Sequence, residues 1–162
     1  MKLIMTLAAL VSFLLASPPA FALDAVKTIV IANTSTHYVA HFTNISDGTG
    51  ESAVAKVDKS TLLASDGAEP ASLDIERVVW ATDGMQVRIL WDHTTDDLGL
   101  ALSGAGSLNF KGERDWVPGF TGTDGLKDPR STGGSGDILF TTSGHTSGDT
   151  YNVTLWIRKN PD

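Results

Sequence analysis

The sequence predicts an all-β protein, an antiparallel β-sandwich or jelly-roll-like barrel that follows an N-terminal signal segment. Three observations support this fold class. Segments with alternating apolar and polar residues recur along the chain, turn residues such as Asp-Gly separate them, and only Ser60 to Ala64 reads as a turn of helix, capped by Asp58 or Ser60. Eight or so short strands with almost no helix are typical of antiparallel sheets packed around one core.

The first residues have a pattern of their own. Lys2 precedes an apolar run from Leu3 to Ala16, prolines follow, and Ala20-Phe21-Ala22 supplies the small residues that a signal peptidase reads. A run of this length is short for a bilayer span. We therefore predict a cleaved signal peptide over residues 1–22 and a single β-sandwich domain over residues 23–162. An uncleaved anchor and a misassigned start are the alternatives.

Composition limits the classes of partner. The chain of 162 residues has a formal net charge of -7 and contains no cysteine. Without a basic cluster it cannot release counterions from phosphates, so nucleic acid is not an expected partner. After cleavage of the signal we expect no membrane association either. Packing and backbone hydrogen bonds, rather than disulfides or thiolate-bound metals, must stabilise the fold.

The strongest local signal lies between Leu73 and Asp92. Two alternating arms flank Asp83-Gly84, a pair that favours the positive φ values of a tight turn. We expect the arms to pair as a hairpin and to bury Trp80 and Trp91 in the core. By the same criteria Thr43 and Val57 flank a loop and could belong to a second hairpin. The other predicted strands are 26–31, 37–43, 52–57, 98–102, 106–110, 137–142 and 150–158, the last with Tyr151, Val153, Leu155 and Ile157 on one face.

The candidate binding surface is the glycine-rich stretch from Lys111 to Gly136, which lacks apolar alternation. Long loops of this kind are usually functional or mobile rather than part of the core. Arg114, Trp116 and Phe120 lie within it, and an exposed tryptophan beside an arginine is typical of an interface anchor. The alternative interpretation is that the loop folds over the end of the sandwich and buries the same aromatic residues.

No catalytic or metal-binding motif is recognisable, so we expect a non-enzymatic protein without a cofactor. His37 and His41 lie four residues apart on a predicted strand, too far apart to share one ion, and are best read as polar residues on a solvent face. His145 lies in a Ser/Gly turn. His93, near Asp92, Asp96 and Asp97, has no convincing ligand set. Asp92, Asp96 and Asp97 around His93, and Asp47 with Glu51, could supply oxygen ligands for calcium, but neither group matches an EF-hand loop. A turn whose Asp47 side chain caps local amides explains the second group fully.

Three segments resemble a specific family. They are HFTNISDGTGESAVAKVDKSTL (His41 to Leu62), ERVVWATDGMQVRILWDHTTD (Glu76 to Asp96) and GDILFTTSGHTSGDTYNVTLWIRK (Gly136 to Lys159). The chain resembles small virion structural proteins of tailed bacteriophages, especially marine and environmental ones, over most of Thr28 to Lys159. The resemblance implies a capsid decoration protein or another accessory subunit on the particle surface, bound to capsid or other virion proteins, with homo-oligomers as one form. It implies no catalytic residue.

The predicted export signal departs from that family, whose members generally start close to the first strand. Either the gene is a cellular or prophage-derived copy used outside the cytoplasm, or the leader is not used as a signal. Two hypotheses follow. The first is a non-enzymatic subunit located in the virion. The alternative is a periplasmic or secreted binding module that recognises a glycan or another surface polymer through Trp116 and Phe120.

Overall fold

The protein is an all-β structure made of two antiparallel sheets. The computed structural model describes residues 25–111 and 125–162, and these contain ten strands and one 3₁₀ turn. The predicted signal segment, residues 1–22, lies outside the described residues. In chain order the strands are β1 (Lys27–Asn33), β2 (His37–Ile45), β3 (Val54–Val57), β4 (Ser72–Asp83), β5 (Gln86–Trp91), β6 (Asp97–Leu102), β7 (Ala105–Asn109), β8 (Leu126–Lys127), β9 (Ile138–Ser143) and β10 (Thr150–Asn160).

The strands are divided between two sheets that pack face to face. The first sheet has the order β1-β2-β10-β4-β7, and the short β8 pairs with the beginning of β4. The second sheet has the order β3-β9-β5-β6. The sheets remain separate and do not close, so the sandwich is confirmed and the barrel alternative is wrong.

The core lies between the inner faces of the two sheets. Along β10, Tyr151, Val153, Leu155 and Ile157 are all fully buried, which confirms the face predicted from their alternation. Phe140 of the second sheet is central. Its ring centroid lies 5.3 Å from that of Phe42 and 5.9 Å from that of Tyr151, both contributed by the first sheet. These edge-to-face contacts join the two layers.

The hairpin predicted between Leu73 and Asp92 is wrong in its pairing. Strand β4 pairs with β10, β7 and β8 in the first sheet, whereas β5 pairs with β6 and β9 in the second. The turn forms as expected, with Gly84 at φ 74°, but it carries the chain from one sheet to the other. Strands β4 and β5 each have one apolar face to bury. When these two faces pack against each other, the two strands lie in opposite sheets. The Thr43–Val57 hairpin is wrong for the same reason, because β2 and β3 belong to different sheets.

Both Trp80 and Trp91 were predicted to be buried in the core, and only Trp91 is fully buried. Trp91 is 2% exposed, whereas Trp80 is partly buried against the core and its indole Nε1 donates to the carbonyl of Ser103 at 3.2 Å. The helical turn predicted over Ser60 to Ala64 is present only in part, as a 3₁₀ turn over Lys59–Thr61 that ends at Leu62. As expected, the side chain of Asp58 caps it by accepting a hydrogen bond from the backbone amide of Ser60.

Candidate functional site

The predicted binding residues Arg114, Trp116 and Phe120 lie outside the described residues, but both ends of their segment are described. The backbone amide of Phe110 donates to the carbonyl of Glu76 at 2.8 Å. On the returning side, β8 pairs with Asp74 and Ile75. The described residues on either side of 112–124 therefore both lie beside the first half of β4. The second part of the predicted loop is not wholly irregular, because it contains β8.

A polar cleft of about 450 Å³ lies at the same place. The start of β4, the end of β10 and the segment that follows β8 form its walls. Its size falls within the range of ligand sites, but its lining is charged rather than apolar. The lining residues are Ser72, Asp74, Lys127, Asp128, Pro129, Arg130, Arg158 and Asn160.

Side-chain donors converge on one hydroxyl in this cleft. The Oγ of Ser72, a residue only 3% exposed, accepts hydrogen bonds from the guanidinium of Arg130 at 2.9 Å and from the amide nitrogen of Asn160 at 3.0 Å. Arg130 has the unusual φ of 53° for a residue with a side chain. Its backbone amide donates to the Asp128 carboxylate at 2.8 Å, which holds that conformation and directs the guanidinium into the cleft.

The carboxylates of the cleft already have cationic partners. Asp74, 2% exposed, accepts from the guanidinium of Arg158 at 2.8 Å. Asp128 pairs with His93, whose Nε2 lies 2.8 Å from a carboxylate oxygen. With both acids compensated, the exposed residue Arg130 and the half-buried Asn160 carry further N–H groups besides those that donate to Ser72. Such a surface suits a ligand group rich in acceptors, such as a carboxylate or a sulfate.

His93 is the centre of a buried cluster whose nearest acidic partner, Asp128, the sequence pattern did not identify. The residue is 8% exposed, and its Nδ1 lies 2.9 Å from the carbonyl oxygen of Gly133. Its Nε2 faces Asp128, with an Asp97 oxygen at 3.8 Å. Both ring nitrogens therefore face acceptors, and only the imidazolium form can donate to both. The neighbouring Asp92 does not join this cluster, because its carboxylate accepts from the hydroxyl and amide of Ser135 at 2.7 and 3.1 Å.

The environment shifts the pKa of His93 and Asp92 in opposite directions. Burial of His93 by itself lowers its pKa, but the Gly133 carbonyl and the Asp128 and Asp97 carboxylates outweigh burial, so the pKa is raised. The hydrogen bonds from the Ser135 side chain and backbone lower the pKa of Asp92. The contacts of His93 with Gly133 and Asp128 hold the segment from 128 to 133 against the end of β5.

We predict that this cluster makes the stability of the protein pH-dependent. Because the folded-state pKa of His93 is raised, its contribution is fully present below its ordinary value of 6.5 and is lost as the pH rises through the higher folded value. The difference in free energy of unfolding between the wild type and His93→Gln should therefore shrink as the pH increases. Urea unfolding of both proteins over a pH series measures this difference.

The Asp128→Asn variant serves as the second test of the same cluster. The substitution removes the carboxylate charge nearest to His93 but keeps an oxygen that can accept a hydrogen bond. In this background, the stabilisation contributed by His93 should therefore begin to fall at a lower pH than in the wild type. A difference between wild type and His93→Gln that stays constant with pH would contradict a charged His93.

No protein-family model, curated protein or solved structure matches this chain. In the described part of the chain, no helix has the length and apolar character needed to cross a membrane.

Asp47 and Glu51, the acidic pair considered for calcium, each bond to different neighbours. Glu51 bonds to Lys56, with an oxygen 2.5 Å from Nζ, and also accepts from the hydroxyl of Tyr151 at 3.0 Å. The Asp47 carboxylate accepts from the amide and hydroxyl of Thr49, as the capping interpretation predicts. Within residues 25–111 and 125–162, no three acidic or histidine side chains are grouped so that they could hold a metal ion.

The two histidines of β2 lie where the sequence placed them. His37 and His41 point from β2 to the outer face of the first sheet, where His37 lies 3.3 Å from Glu76 and His41 bonds to Thr154 at 2.8 Å. What sequence reasoning missed was the cleft around Ser72 and Arg130. The Asp128-Pro129 pair, a common turn signal, was the available clue that this part of the loop is ordered.

Proposed function

We propose that the chain is a non-enzymatic virion structural protein of a tailed bacteriophage, a capsid decoration protein or another accessory subunit on the particle surface. The strand order carries the proposal. Eight strands in the order β2-β10-β4-β7 facing β3-β9-β5-β6 correspond to the double-sheet jelly roll, which recurs in viral capsid and lectin domains. The resemblance of three sequence segments to phage virion proteins supports the same assignment.

The state of the reactive side chains favours a binding role over catalysis. A catalytic base or nucleophile needs a free position facing substrate. Both ring nitrogens of His93 are already hydrogen-bonded. The side chains of Lys56 and Glu51 are buried, 3% and 4% exposed. These groups stabilise the body of the protein. The irregular connections are left to contact a larger assembly.

The proposed contact surface lies at the end of the first sheet. The described residues that flank the segment with Arg114, Trp116 and Phe120 lie beside β4, next to the cleft of Ser72 and Arg130. An aromatic anchor beside polar donors is a common composition of protein interfaces. Many copies on one lattice would strengthen weak individual contacts through avidity.

Co-sedimentation tests this function. The chain beginning at Leu23 is mixed with heads of the phage that carries the gene, assembled without accessory proteins, and the heads are pelleted. We expect the protein in the pellet, and a large loss of binding for the double variant Trp116→Ala, Phe120→Ala. Leu98→Ala, at a residue 59% exposed on β6, is the control that should still bind. Protein left entirely in the supernatant would remove the decoration role.

A second candidate function is an exported module that binds an acidic surface polymer. The donor-rich cleft favours it, because the Arg130 guanidinium and the Asn160 amide suit carboxylate or sulfate groups. Native gels cast with polygalacturonate test it against gels cast with neutral dextran. Selective retardation by polygalacturonate that Arg130→Gln reduces would support this function. Equal mobility in both gels would contradict it.

A further inference from the structure

Strand β1 exposes more apolar side chain than any other strand of the described residues. All seven of its residues are exposed or half-buried. Ile29, Val30 and Ile31 are 43%, 52% and 60% exposed, and Val26 just before the strand is 45% exposed. Ile29 and Val30 are neighbours and therefore point to opposite faces of the sheet. Exposure of both means that neither face of β1 is covered by the second sheet.

The same strand forms an open edge. β1 pairs with β2 along one side, and no strand of the described residues pairs with its other side. A free edge is a template for another strand, and proteins usually protect it with charges, proline or a bulge. In β1 Lys27 is the only charged residue and proline is absent. A bulge does occur at Ile31, between the pairs of Val30 and Ala32, but it leaves the run from Lys27 to Val30 regular.

None of the residues 25–111 and 125–162 supplies a second strand for this edge. The described residues on either side of the segment 112–124 lie beside β4, three strands or about 14 Å away across the sheet. If the signal is cleaved after Ala22, only Leu23 and Asp24 precede the described residues, and Ala25 is already bonded to Ile45. Two residues are too few to fold back along β1.

We propose that β1 pairs with β1 of a second copy, so that two sandwiches share a continuous sheet across a two-fold axis. An antiparallel pair of identical strands is self-complementary, as a two-fold interface requires. With Ile29 and Val30 near the axis, these apolar residues and Ile31 of the two copies line both faces. Lys27 then lies opposite residues 31–33 of the other copy, none of which is charged. Like charges are therefore kept apart.

The dimer should be weak and concentration-dependent. One pair of strands of this length buries less surface than the roughly 1,200 Å² at the low end of stable interfaces. We therefore expect a dissociation constant in the micromolar range rather than a permanent dimer. This inference does not depend on the proposed virion function, because either candidate function allows a second copy.

Sedimentation equilibrium of the chain beginning at Leu23 tests the proposal. This form should fold without the leader, since the buried core cluster draws its residues from the range 38–157. We expect a monomer–dimer equilibrium that Ile29→Lys and Val30→Lys each weaken at least tenfold. Leu63→Lys is the matched control, because Leu63 is 61% exposed but lies in a loop, and it should dimerise like the wild type.

Hydrogen–deuterium exchange gives a readout that needs no variant. Amides of β1 should gain protection as the protein concentration rises, while the amides of β6, the edge of the second sheet, should not. A protein that stays monomeric from micromolar to millimolar concentration would overturn the proposal. Dimerisation that is abolished by Leu98→Lys on β6 but unchanged by the β1 variants would overturn it as well.

Discussion

Replacing Phe140 with alanine is expected to lower the free energy of unfolding by about 3–5 kcal/mol. The side chain is fully buried and contacts Phe42 and Tyr151 across the sandwich. Its removal leaves a cavity between two sheets that cannot close around it, and it also removes two aromatic contacts. A single domain is stabilised by only about 5–15 kcal/mol, so the loss is a large part of the total. Urea unfolding should show the midpoint lowered by on the order of 2 M.

Two further variants distinguish the loss of core packing from the mere loss of apolar atoms as the cause of the lower free energy of unfolding. Phe140→Leu retains most of the volume and should cost clearly less than alanine. Leu98→Ala removes apolar atoms from a residue 59% exposed on β6 and should change the free energy of unfolding by no more than about 0.5 kcal/mol. A Phe140→Ala variant as stable as Leu98→Ala would mean that the sheets do not meet at this cluster.

The buried pair of Lys56 and Glu51 is expected to give the second large effect. Breaking such a pair leaves one charge buried without compensation, which typically costs about 3–5 kcal/mol. Lys56→Met and Glu51→Gln should each destabilise the protein by this amount. The double variant should be more stable than either single variant, because no uncompensated charge remains and the introduced amide oxygen can still accept from the hydroxyl of Tyr151. Urea unfolding of the four proteins gives the coupling energy between the two positions.

The pair of Lys59 and Glu69 provides the control for burial. Its nitrogen–oxygen distance of 2.6 Å is close to that of the buried pair, but the Glu69 side chain is 48% exposed. Glu69→Gln should therefore cost no more than about 1 kcal/mol. Equal losses for Glu51→Gln and Glu69→Gln would show that burial does not decide the effect.

Periodicity in the sequence was sufficient to locate most strands and their buried faces. Alternation along β10 identified the fully buried Tyr151 and Leu155, and the same pattern along β5 identified Trp91. Alternation reports which side of a strand faces a core. It does not report which sheet receives the strand, because β4 and β5 show the same pattern whether they pair with each other or face each other. The error at Asp83-Gly84 follows directly from this ambiguity.

The candidate site could not be predicted from the sequence for a different reason. His93 and Asp128 are 35 positions apart, and Arg130 and Ser72 are 58 positions apart. No local spacing rule joins residues so distant, and a glycine-rich loop suggested irregular chain instead. Gly134 illustrates what the loop needs, since its φ is 79° and a Cβ there would lie 2.2 Å from the carbonyl oxygen of Asp92. That glycine permits a close approach to the end of β5 rather than disorder.

We propose that this body of two antiparallel sheets acts by binding to a particle. Peptide mass spectrometry of purified particles, compared with the exported fraction of cells that express the gene, tests this most directly. We expect peptides from the described strands in the particles, in a constant ratio to the major capsid protein. Particles free of these peptides, together with a chain starting near Leu23 in the exported fraction, would contradict the claim and favour the polymer-binding module.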